Sequence, residues 1–244
     1  MAVIINDVYQ KVLAIANKEQ RGYITPQEFN LFANQAQMDI FEQYFYDINQ
    51  FGRVPGNSTE YSDMISLLEE KIAIFDQFKV AMSAVSGNQL TLPTDVYRLG
   101  TVFYGGAGYD VEVEKVSKKD LEYMSRTALY APTDSRPVYT KKSETLLKLF
   151  PASPSTSYTA ANVTCNYIKK PATVKWTYTV SDTYKALYNP SPSNNDLQNF
   201  ELHKSEENNL IEKILQLAGI STKDSVLYQA ASAEEQKSIQ QEKQ

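Results

Sequence analysis

The sequence predicts an α+β chain in which N- and C-terminal helices form one antiparallel helical bundle, with a β-rich antiparallel lobe inserted between them. Three observations predict it. Apolar residues recur at three- and four-residue steps near both ends of the 244-residue chain. Between them the texture changes to short alternating, β-branched runs. The last apolar helix most simply covers its face on the first three. The expected segments are 1–74 for the N-terminal helices, 75–204 for the β-rich lobe with one short helix, 205–230 for the C-terminal helices and 231–244 for a polar tail.

The first helix carries Val8, Val12, Ile15 and Ala16 on one face. A second starts at Thr25-Pro26-Gln27-Glu28, where a hydroxyl N-cap, a proline at the first helical position and a carboxylate at the third satisfy one another's needs. Phe29, Phe32, Ala33, Ala36, Ile40, Phe41, Tyr44 and Phe45 then line one face. The preceding stretch from Asn17 to Glu28 has the outline of half a calcium loop, but its fifth position is Arg21, whose guanidinium cannot ligate a cation. It is read as the corner of a helical hairpin turning at Gly22. After a Gly- and Pro-containing break, Ser58 or Thr59 can cap a third helix bearing Met64, Ile65, Leu67, Leu68 and Ile72.

The strand-like runs are "FKVAMSAV", "NQLTLP", "YRLGTVFY", "YDVEVEKV", "RPVYTKK", "TLLKLFP" and "NVTCNYIKKP". "GGAG" after Tyr104 and "KKSE" after Thr140 read as hairpin connections. Ser117 caps a short helix, with Asp120 near its positive end. A further helix is expected with Ser205 as N-cap, Leu210, Ile211, Ile214 and Leu215 on one face, and Gly219 at the C-cap. Beyond it the chain has almost no apolar anchors and is expected to fray when alone. "PASPSTSYTAAN" and "NPSPSNND" are long Pro-, Ser- and Asn-rich loops of the kind that make contacts in an assembly.

Composition bounds the chemistry. A net charge of −5 is a poor footprint for gripping phosphates. No apolar run approaches the ~20 residues that span a bilayer, and "MAVII" is too short for a signal peptide, so a chain made in the cytoplasm is expected. With one histidine, His203, and one cysteine, Cys165, neither a His-rich metal site nor an internal disulfide is available. The sequence names no catalytic residue, metal or cofactor, and we expect a protein that is not an enzyme. Seventeen tyrosines and ten phenylalanines suit surfaces that meet other proteins. Trp176 reads as a core or interface anchor.

The order "NKEQRGYITPQEFNLFANQAQMDIFEQYF", "LTLPTDVYRL", "APTDSRPVY", "LFP", "CNYIKKP", a tryptophan and "NDLQNFELHKSEENNLIEKILQLAGI" resembles head-to-tail adaptor (ring, connector) virion structural proteins of podovirus-like and crAss-like bacteriophages. The resemblance covers about Asn17 to Ile220 and rests on the order of caps, turns and core residues. It implies a homo-oligomeric ring of about twelve copies. The ring would sit below the portal at the head–tail junction of the virion, extend the DNA channel and receive tail or other ring proteins. DNA would pass without sequence-specific binding, and no membrane partner is implied. A summed charge of about −60 would discourage sticking of the duplex. The family offers contact surfaces and no catalytic groups. The candidate interface residues are Tyr104 and Tyr109 at the hairpin, Tyr158 in the long loop, Trp176, and Tyr228 at the start of the tail.

Two other classes compete. A monomeric protein- or glycan-binding module of a virion would use the Tyr-rich strands. A hydrolase would need two carboxyl groups roughly 5–9 Å apart in a cleft, which spacing along the chain cannot test.

Overall fold

The computed structural model describes residues 2–18, 24–51, 59–85, 88–106, 109–151, 158, 162–181, 185–192, 196–221, 233 and 237. The chain divides into two compact units, one made of Met1–Ile74 with Pro171–Gln244 and the other of Phe75–Lys170.

In the first unit the apolar stripes become helices α1 (Ile5–Lys18), α2 (Pro26–Phe51) and α3 (Thr59–Ala73), joined late in the sequence by α5 (Glu207–Ser221). Helices α1 and α2 both pack on α5, and α3 packs on α2. The shared core holds Val8, Val12, Phe29, Ala33, Ile40, Phe41, Leu210 and Ile214. Thus the N- and C-terminal helices form one bundle. The cap before α2 closes as its spacing requires: the Thr25 amide donates to Glu28 Oε2 (2.9 Å) and the Glu28 amide to Thr25 Oγ1 (3.3 Å). Gly22 and Ser58 lie outside the described residues.

Several local expectations are corrected. Ile15 and Leu67, assigned to apolar faces, are exposed. Ser205 does not cap α5. It lies within a 3-10 turn, Lys204–Glu206, that His203 caps by accepting from the Ser205 amide at Nδ1 (3.3 Å). Gly219 does not end the helix either, since α5 continues to Ser221. Glu206 is buried in front of α5 and held by Lys71 Nζ (2.6 Å) and by Asn209 Nδ2, which donates to its Oε2 (2.9 Å).

The second unit is an eight-stranded sheet. Its strands are β2 (Asp76–Ala81), β3 (Ser83–Ala84), β4 (Gln89–Thr91), β5 (Val96–Gly106), β6 (Tyr109–Lys115), β7 (Val138–Lys141), β8 (Leu146–Phe150) and β9 (Val163–Lys169), arranged in the order β2-β9-β5-β6-β7-β8-β4-β3. All neighbours are antiparallel except β6 and β7. β2 and β3 stand at opposite edges yet are separated only by the buried Met82, so one bent segment supplies both edges and the sheet curls into a near-barrel. Inside lie Leu90, Val102, Val113, Tyr139, Leu147, Leu149, Val163, Cys165 and Tyr167. The β5–β6 and β7–β8 hairpins form where turn chemistry places them. Helix α4 (Lys118–Ser125) is capped by Ser117 Oγ, which accepts from the Asp120 amide (3.2 Å).

Residues 171–204, read with the β region from sequence, belong by contact to the helical unit. There β1 (Ala2–Val3) pairs with β12 (Phe200–His203), and β10 (Tyr178–Val180) with β11 (Ala186–Tyr188). The reason lies in how the segment from Ala172 to Trp176 is held.

Candidate interaction surfaces

That segment is extended, and side-chain amides of α2 take the place of a neighbouring strand. Asn30 accepts from the Trp176 amide (2.8 Å) and donates to its carbonyl (3.2 Å). Asn34 does the same with Val174 (both 2.9 Å). Gln37 donates to the Ala172 carbonyl (2.9 Å) and accepts from the Glu201 amide (3.2 Å), while Glu201 accepts from the Ala172 amide (2.9 Å). The match is metric: four residues of helix rise about 6 Å, and two residues of strand about 6.7 Å. On the segment's other edge, Lys175 and Gln198 exchange backbone bonds of 3.1 and 3.2 Å. Its buried polar groups are therefore paired.

This ladder seats Trp176. The indole is about 1% exposed, donates from Nε1 to Asn6 Oδ1 (3.2 Å), and lies against Tyr9, Tyr178 and Tyr188 with centroids 4.1, 5.7 and 6.0 Å away. Trp176 is a core anchor of the helical unit, not a surface group. Tyr158 is likewise covered by its own unit. Its ring meets Tyr104 edge-on at 5.0 Å, and burial pushes its hydroxyl well above the ordinary tyrosine range. Tyr104 is half-buried in the same pair. Tyr109 opens β6 opposite Gly106, and its side chain lies outside the described residues, as do Tyr228 and most of the loop around Tyr158. Of the second loop, Asp196 ties back to Lys175 Nζ at 2.7 Å.

The chain's single cysteine and single histidine are both held by structure. Cys165 is fully buried in the barrel core, where burial pushes its thiol up to about 11, so little thiolate forms near neutrality. His203 is spent on the cap described above. Among the described residues no cluster of three or more His, Cys, Asp or Glu side chains could hold a metal ion, and no helix is long and apolar enough to cross a membrane.

Among the described residues, the large exposed apolar side chains are others than Tyr104, Tyr158 and Trp176. On the helical unit they include Leu31 (70% exposed), Tyr46 (66%), Val180 and Leu187; on the barrel, Phe78 (71%), Tyr123, Leu129 (80%) and Tyr130. Leu31 and Tyr46 fall off the apolar stripe of α2, which was the available sequence signal. Phe78 stands at a bulge of edge strand β2. There Lys79 adopts φ 51°, its amide donates to Asn166 Oδ1 (2.9 Å), and its ammonium pairs with Asp110 while lying over the Phe78 and Phe103 rings. A bulge of this kind blunts an edge strand against pairing with other chains.

The barrel also has an open seam. β5 and β6 pair from Gly106–Tyr109 down to Val102–Val113 and then part. β6 follows β7 instead, pairing Glu114 with Val138 and Lys115 with Tyr139. Beyond Val102, β5 keeps β9 on one edge, with Leu99 opposite Tyr167 and Arg98 opposite Ile168 after a register shift, and among the described residues no strand pairs with it on the other. A cavity of about 830 Å³ fills the gap, walled by β5, by Glu112 to Lys115, and by Arg136, Tyr139 and Lys141. No protein-family model matches the chain, and no curated protein shows significant similarity to it.

Proposed function

We propose that the chain is a structural, non-enzymatic subunit of a phage head-to-tail connector ring below the portal, extending the DNA channel and docking the tail. The observation that carries this reading is that both units present large apolar side chains to solvent, at Leu31, Tyr46, Phe78 and Leu129. Burial of such groups on neighbours is what an assembling subunit requires. The order of sequence motifs that resembles ring adaptors supports the same reading, and the net charge of −5 suits a channel that passes a duplex without holding it. The proposed setting is the head–tail junction of the virion, with portal and tail proteins as partners of a ring of about twelve copies.

Mass photometry over a wide concentration range, followed by negative-stain imaging, tests this. Closed rings are expected. A monomer that neither self-assembles nor binds a portal ring would overturn it. Deleting the residues after Ala233 should leave the fold intact and weaken assembly, as read by the ring fraction. A second reading, a monomeric protein- or glycan-binding module of the virion, is favoured by one observation, the open seam in the barrel.

A further inference from the structure

We propose that the seam between β5 and the departing end of β6 receives an extended, acidic peptide segment of another protein, which adds to the barrel as a strand along the free edge of β5. This inference does not depend on the ring reading.

Two independent features point to it. The first is the unpaired edge. Arg98 and Leu99 pair with Ile168 and Tyr167 of β9, and Gly100 and Thr101 lie in a register shift of that pairing. Among the described residues no strand pairs with this stretch on its other side, where β6 has left to follow β7. A free strand edge facing a cavity is the geometry in which an incoming peptide gains main-chain hydrogen bonds. The cavity, at about 830 Å³, is in the range of formed ligand sites.

The second is charge. Arg98, Lys115, Arg136 and Lys141 line the cavity together with Glu112 and Glu114, four cations against two carboxylates, in a chain whose net charge is −5. No ion pair joins these six among the described residues. The seam is thus a locally cationic cleft on an acidic protein, which selects acidic groups and repels lysine-rich ones. The two carboxylates speak for a peptide over a nucleic acid. A phosphate backbone carries its negative charge at every residue and would meet them, whereas a peptide can set its acids opposite the cations and neutral residues opposite Glu112 and Glu114. Alternating side chains of an added strand suit that division.

Fluorescence anisotropy with the full chain and a fluorescein-labelled, end-blocked short peptide of alternating Glu and Val tests the proposal. Saturable binding is expected, weakened about tenfold or more by combining Arg98→Glu with Lys141→Glu. Lys118→Glu with Lys119→Glu, outside the cavity, should leave it unchanged. Binding should slow hydrogen exchange at Arg98 to Thr101, and methylating alternate peptide nitrogens should abolish it. If the charge-reversed variant unfolds, Arg98→Gln with Lys141→Gln replaces it. The proposal is overturned by absence of saturable binding, by equal binding of a Lys-Val peptide, or by binding that ignores the seam substitutions. It is also overturned if a short single-stranded DNA oligonucleotide, and not the peptide, binds through those residues.

Discussion

The two units settle the same hydrogen-bonding problem in opposite ways. In the helical unit an extended segment, Ala172 to Trp176, has a strand-like neighbour on one edge only, and α2 closes the other with Asn30, Asn34 and Gln37. In the barrel, β5 at Arg98 and Leu99 also has a strand on one edge, and among the described residues no strand closes the other. The first edge is occupied by the chain's own side chains and serves stability. The second opens into a charged cavity, where we propose that a peptide adds. A free strand edge is thus not in itself a functional sign; what faces it decides.

Substitutions on the closed edge should have the largest effects. Trp176→Ala should cost about 3–5 kcal/mol through lost burial and a cavity between Tyr9 and Tyr188. Chemical denaturation should report it, with faster hydrogen exchange in α1, α2 and α5 than in the barrel strands. Asn34→Leu leaves the Val174 amide and carbonyl without their α2 partner, at roughly 1–3 kcal/mol for each group so orphaned. If its cost instead equals that of a surface change, the amide ladder is not what closes that edge.

On the barrel side, Cys165 gives the core a pH signature. Its thiol titrates near 9.0 when unfolded and about 11 when folded, because burial disfavours the thiolate. Its contribution is therefore fully present below pH 9 and lost as pH rises through 11. The gap between the two values corresponds to about 2–3 kcal/mol. Denaturation midpoints across that window should fall less steeply in Cys165→Ala. Tyr167, pushed up to about 12 by burial and its bond to Asp95, adds to the same alkaline loss. The smallest effect is expected from Thr25→Ala, about 1 kcal/mol from the broken cap of α2.

The fold class is legible because it rests on period and caps. The stripe from Phe29 to Tyr44, the Thr25–Glu28 box and the alternation of Glu112, Val113 and Glu114 each state a local geometry, and each is found. Residues 171–204 are misplaced by a local reading because their partners lie some 140 positions away, and because Asn30, Asn34 and Gln37 look like an ordinary solvated helix face. Nothing local says that three amides four and three residues apart face a backbone. Ser205 and Gly219 mislead because His203 supplies the cap to a 3-10 turn that precedes α5, and because α5 runs two residues past its glycine. For the interaction surfaces, tyrosine content points to aromatic anchors, but Trp176 and Tyr158 are consumed by their own cores. The seam is invisible in the sequence, since it arises where β6 changes neighbours.

The ladder also sets an order of events during synthesis. Asn30, Asn34 and Gln37 leave the ribosome well before Ala172 to Trp176, and at about 5–20 residues per second the interval is of order ten seconds. During that time the whole barrel, Phe75–Lys170, emerges and can pair its strands, while α2 waits with its amide face unoccupied. The helical unit can be completed only when Ala172 to Trp176 arrive, by which point every residue of the inserted barrel has been made.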